Sequence, residues 1–225
     1  MNKPIEKPIL FSGPMVRAIL DGTKTMTRRV VKIPYEKGNS LGTWEPSILG
    51  GKGCTDNNGN FVDEFPVLWH TRTGYSLSCP YGQVGDRLWV RETWAWGKRY
   101  DDCIITLETI PKQKPDYAEI FYRADNNQVN RDDKWKPSIF MPRWASRITL
   151  EIVSVRVERL QEITEEDAIK EGALSLGDPS GEADWSVGFA KACFQRLWDS
   201  INGKTYPWKD NPFVWVIEFR RIDAL

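Results

Sequence analysis

The eight residues from Gly22 to Arg29, Gly-Thr-Lys-Thr-Met-Thr-Arg-Arg, hold one lysine, three threonines and two arginines. Cations beside hydroxyls suit a phosphate, which guanidinium and ammonium groups hold by charge-assisted hydrogen bonds, or the polar edge of a nucleobase. The same composition suits a solvated edge strand whose charges discourage pairing with another chain. Charge is unevenly spread around this cluster. Arg17 to Lys37 carries six basic residues against two acids, whereas Gln161 to Asp184 carries eight acids and one lysine.

The elements that must position the cluster are legible on either side of it. Ile9, Leu10 and Phe11 read as a short strand, and Ser12 as the N-cap of a helix with Pro14 in its first turn. Met15, Ala18 and Ile19 share that helix's apolar face, and Gly22 ends it. From Thr25 onward, β-branched and charged residues predict a strand that Pro34 stops. The Gly-rich stretch after it is too long for a plain connection, so it is a functional insertion or a lid, with one or two hairpins.

Arg87 to Thr93 is a clear strand in which Leu88, Val90 and Glu92 share one face. A glutamate among apolar neighbours calls for a partner, either an arginine or a ligand. Residues 97–136 offer one strand, Ala118 to Arg123, and otherwise read as charged loop. In Ile148 to Leu160, the alternation Ile148, Leu150, Ile152 resumes out of phase at Val153, Val155 and Val157, the mark of a β-bulge. Thr164 followed by Glu165, Glu166 and Asp167 opens a helix that Gly172 stops. A further helix spans about Ser186 to Ile201, with Phe189, Ala190, Cys193, Phe194, Leu197 and Trp198 on its apolar face. Phe213 to Ile222 is the last strand. Short bulged strands, three helices and long loops predict an α+β chain, a small mixed barrel with peripheral helices rather than a doubly wound sheet.

Composition narrows the function. The 225 residues are 40 % hydrophobic and 28 % charged, far from the disordered range, and 31 basic residues balance 31 acidic ones. Zero net charge excludes a uniformly basic nucleic-acid clamp while permitting a local basic face. No apolar run is long enough to span a membrane, and the N-terminus lacks a signal-peptide pattern, so a cytoplasmic protein is expected. Cys54, Cys79, Cys103 and Cys193 form no CxxC pair and read as reduced thiols. With His70 the first three could be imagined around zinc, but their spacing matches no compact ligand set, and neither metal nor cofactor is expected. A single histidine also excludes a two-histidine acid-base pair. The 11 tryptophans include several in irregular segments, where they act as stacking platforms for bases or as plugs for gaps in the core.

At Ile19 to Arg29 the sequence resembles the ASCH domain family, whose signature Gly, any residue, Lys, four residues and Arg falls on Gly22, Lys24 and Arg29. The resemblance extends to Gly85–Trp94, Pro137–Arg147 and Val214–Phe219, and is greatest with the larger ASCH proteins of phages and prophages. It implies a PUA-like β-barrel spanning residues 1–225 as one domain, with insertions at about 35–80 and 97–135. One branch of the family removes an acyl group from the exocyclic nitrogen of cytidine using Lys, Thr and Glu. By motif and offset these fall on Lys24, Thr27 and Glu171.

The resemblance thus implies an N4-acetylcytidine amidohydrolase, with Thr27 as nucleophile, Lys24 as its base and Glu171 assisting. A threonine hydroxyl needs a base, and a lysine serves as one only if burial or neighbouring cations lower its pKa. Residues three apart on a strand face opposite ways, so Lys24 and Thr27 converge only if Lys24 still lies in the turn after Gly22. Arg28, Arg29, Glu92, Trp94, Arg143 and Trp144 are the expected substrate contacts, and Arg91 and Arg147 are expected to be structural. The alternative is a non-catalytic reader of RNA or of a modified base, with a ribonuclease as the weaker third reading. The expected partner is a modified nucleoside or RNA.

Overall fold

The computed structural model describes residues 4–34, 42–100, 103–116, 118–125, 135–174 and 188–222, side chains at 99–106 excepted. Strands β1 (Glu6–Leu10), β2 (Met26–Val30), β3 (Trp44–Leu49), β4 (Phe65–His70), β5 (Ser76–Ser78) and β6 (Arg87–Arg91) precede β7 (Trp94–Tyr100), β8 (Cys103–Thr106) and β9 (Glu119–Tyr122). The last two are β10 (Thr149–Arg159) and β11 (Phe213–Ile222), and the helices are α1 (Gly13–Leu20), α2 (Glu165–Lys170) and α3 (Phe189–Asn202).

The strands form a five-stranded sheet in the order β1-β6-β10-β11-β2 and two three-stranded sheets, β3-β4-β5 and β8-β7-β9. The architecture is α+β, and each sheet is open. The central sheet ends at β2 on one side and does not close into the expected barrel.

The central sheet is covered on both faces along the first half of β11, which explains why that strand is apolar from Phe213 to Ile217. Phe213, Trp215, Ile217 and Phe219 pack with Phe11, Ile19, Leu88 and Leu150, and Leu68 and Cys79 of the insertion join the same cluster. Val214 and Val216 face the other way, onto Leu160, Ala190, Phe194 and Trp198. In β10, Ile152 pairs with Phe219 and Ser154 with Glu218, so Val153 is left without a partner. That is the bulge expected from the phase slip, and Val153 is 47 % exposed while Val155 and Val157 return to the core.

The Thr164 hydroxyl caps α2 by accepting from the Asp167 amide at 3.1 Å. Glu165 then reaches the first turn of α3, accepting from the amides of Ala190 at 3.0 Å and Lys191 at 3.3 Å. A carboxylate on these otherwise orphan donors locks the two helices together at one end. The expected start of α3 at Ser186 lies outside the described residues. Among the described residues, no helix is long and apolar enough to cross a membrane.

Strands β7 and β8 are not legible in the sequence. Trp94, Ala95 and Trp96 are all buried, so β7 shows no alternation, and its later residues are charged.

Candidate active site at the edge of the central sheet

Gly22 takes φ 76°, the left-handed conformation that closes α1 and that a side chain would disfavour. The chain then turns back, with the Lys24 amide donating to the Ala18 carbonyl at 2.9 Å. Lys24 therefore lies in the turn, ahead of β2, and the facing rule for strands does not separate it from Thr27.

The Lys24 ammonium is 2 % exposed and is surrounded by three acceptors. It donates to Glu171 Oε2 at 2.7 Å and to the carbonyls of Glu171 and Met26, each at 2.8 Å. Three acceptors account for all three ammonium hydrogens. Burial holds its pKa below the ordinary lysine value against the opposing pull of Glu171, and Arg29 and Arg28 add to the lowering. The carboxylate is fixed from the other side by Arg28 Nη1 at 3.4 Å from Glu171 Oε1. Arg28 also contacts Glu158 and Asp167, both at 2.6 Å, and Arg156 pairs with the same two acids. Three cations and three carboxylates thus form one network around Glu171.

A cavity of about 230 Å³ opens beside the network, lined by Thr27, Arg29 and Glu171 and walled by Tyr81, Phe194 and Trp198. Lys24 stands behind this lining. Strand β2 is the free edge of the sheet, and its pairing with β11 shows which backbone groups remain available. The Phe219 amide donates to the Thr25 carbonyl and the Val31 amide to the Phe213 carbonyl, so alternate residues face β11. By the alternation of an antiparallel ladder, the amides and carbonyls of Arg28 and Val30 point outward, beside the cavity. Arg29 also borders the cavity: its Nη2 donates to the Leu10 carbonyl at 2.7 Å and its guanidinium lies over the Phe11 ring at 5.1 Å, yet its buried Nε has no hydrogen-bond partner among the described residues. Burial lowers its pKa from the ordinary guanidinium value.

The other expected contacts sit elsewhere. Glu92 is 1 % exposed and paired with Arg147 at 3.0 Å, and Arg147 also binds Asp125 at 2.7 Å. Trp94 is fully buried and meets Trp144 edge-on at 5.7 Å. The Trp144 indole donates to the Pro111 carbonyl at 3.2 Å, and Arg143 bonds Glu6 at 3.0 Å. None of these four lines the cavity. They anchor the β8-β7-β9 sheet and its flanking segments. Arg28 lines the cavity but is engaged by carboxylates, so it positions Glu171 rather than waiting for substrate. Arg91, expected to be structural, stacks on Trp89 and donates to the Ile139 carbonyl, while its buried Nε has no hydrogen-bond partner among the described residues.

Burial raises the Glu92 pKa above the ordinary value of 4.5, against the opposing hydrogen bonds and charge of Arg147, and Asp125 adds to the rise. The folded state then holds this proton more tightly than the unfolded chain, so stability contributed by protonation is lost as pH rises from about 4.5 through the folded value. Glu92→Gln, facing the same Arg147, Asp125 and Tyr122, is expected to lack this loss. In urea denaturation its stability relative to the parent improves as pH rises through that window; parallel curves would contradict the assignment.

Tyr81, Arg156 and Glu158 carry no motif, and their roles arise only from packing. Asp167 stands on the expected helix one turn before Glu171, where its pairing with Arg28 and Arg156 leaves no sequence signal. Among the described residues, no cluster of three or more His, Cys, Asp or Glu side chains could hold a metal ion. His70 is buried, against Trp44 and bonded to Thr73, and Cys54 and Cys79 are free thiols. Comparison with protein-family models, with curated proteins and with solved structures finds no match to this chain.

Proposed function

We propose that this cavity hydrolyses the amide of an N4-acylated cytidine or a related modified nucleoside, with Thr27 as nucleophile. The observation that carries the reading is the buried Lys24–Glu171 pair at 2.7 Å, set behind a cavity that also presents Thr27 and the partly unpartnered Arg29. The ASCH-type motif supports it through the same three residues, and supports a PUA-like classification for the bulged central sheet. A cytoplasmic setting follows from a nucleoside or RNA substrate.

The geometry divides the roles differently from the motif alone. Lys24 already gives its hydrogens to three acceptors, so the group of the pair that meets the substrate is the Glu171 carboxylate. Thr27 Oγ1 attacks the acyl carbon while Glu171 takes its proton; the same proton passes to the cytidine nitrogen as the carbon–nitrogen bond breaks. Water then releases the acyl group from Thr27, with Glu171 serving again as base. Lys24 and Arg28 hold the carboxylate in place, and Arg29 with the outward amides of β2 faces the oxygen on which charge develops.

Chromatography of N4-acetylcytidine incubated with the protein tests this directly. Cytidine should appear, and Lys24→Ala should reduce kcat/KM by at least about a hundredfold, the scale for disabling acid-base catalysis. Bound but unconverted nucleoside would instead favour a reader of modified bases. The saturated hydrogen bonding of Lys24 is the observation on that side, because a static donor set also suits recognition.

A further inference from the structure

The cavity at Thr27 and Glu171 does not end at Tyr81. A second cavity, of about 440 Å³, is lined by Val30, Val31, Lys32, Leu77, Ser78, Pro80, Tyr81 and Trp215. Three residues, Val30, Lys32 and Tyr81, line both. The two are therefore neighbouring compartments along the free edge of β2, with a cation and an aromatic ring at their junction. The second compartment is the larger, and its lining is mostly apolar with one ammonium and no carboxylate. Lys7 adds a nearby positive charge, bonded to the Pro80 carbonyl at 2.9 Å. A free nucleoside would fill the first compartment and leave the second unused.

A single-stranded nucleic acid repeats a flat base and an anionic linker, and the two compartments with Lys32 and Tyr81 at their junction offer a place for each. Bases stack on aromatic rings regardless of sequence, and phosphates sit on lysine. We infer that the substrate is a modified cytidine within a short single strand of RNA, its neighbouring base seated against Tyr81 and Leu77 and the phosphate between them at Lys32. The inference rests on the reading that the first compartment takes a nucleoside. It assigns a role to the end of the insertion that carries Leu77, Ser78 and Tyr81, which the amide chemistry alone leaves unexplained.

Calorimetry with the full chain tests it, using cytidine, cytidine 5′-monophosphate and the trinucleotide UpCpU, each with and without the N4-acetyl group. Ser78 is exposed and lines only the second compartment, so Ser78→Glu introduces repulsion there without touching the catalytic residues. The trinucleotide should bind about tenfold or more tighter than either smaller probe, and the advantage should shrink as salt rises. Ser78→Glu should abolish that advantage and leave the nucleoside unaffected, while Ser78→Lys should retain it. Equal affinity for the monophosphate and the trinucleotide, or indifference to Ser78→Glu with the fold intact, would overturn the inference. If the acetylated trinucleotide binds tightly without being deacetylated, the hydrolase reading fails and the two compartments stand as a site that binds the strand without cleaving it. If the free nucleoside is hydrolysed and the trinucleotide is refused, the reverse holds.

Discussion

Glu171→Ala is expected to lower folding stability by about 3–5 kcal/mol and to abolish turnover. Its side chain is 4 % exposed and that of Lys24 is 1 % exposed, so removing the carboxylate strands an ammonium in the interior. Breaking a buried pair costs about this much because the remaining charge keeps its desolvation penalty and loses its compensation. Glu171→Leu combined with Lys24→Met separates the two effects. Apolar residues of similar volume replace both charges, and Arg28 keeps Glu158 and Asp167 as partners. The double variant should recover most of the lost stability in guanidinium unfolding and remain inactive. Recovery of activity with stability would show that the pair is structural only.

Thr27→Val is expected to reduce kcat by at least about a hundredfold with little change in stability. The side chain is 4 % exposed, valine preserves its shape, and its hydroxyl has no hydrogen-bond partner among the described residues. Its position on β2 opposite Ile217 is compatible with a β-branched apolar residue. Substrate affinity should persist, because Arg29, Tyr81 and the backbone edge are untouched. A variant that turns over at the parent rate would remove Thr27 from the mechanism and leave water as the nucleophile.

Both substitutions fall close to one turn, and that turn is legible in the amino-acid sequence. A helix ending at Gly22, followed by a strand from about residue 25, places Lys24 between two elements. The bulge at Val153 is equally legible, since a slip in hydrophobic phase has few other physical causes. The wider site is not. Glu92 shares a buried face with Leu88 and Val90, as alternation indicates, but the interior holds several separate clusters, and alternation reports burial without saying which cluster a face joins. Glu92 meets Arg147 from 55 residues away, and Arg28 meets Glu158 across 130. Pairings at that separation depend on the sheet order, which local pattern does not carry. The trio Trp94, Ala95 and Trp96 shows the same limit, because a strand covered on both sides loses its period.

Thr27 is proposed to carry the acyl group between two steps, and mass analysis of rapidly quenched protein during turnover of N4-acetylcytidine tests this most directly. An acetyl group is expected on the peptide containing Thr27, formed together with the first cytidine and absent from Thr27→Val. Cytidine released at full rate with unmodified protein at every quench time would contradict it.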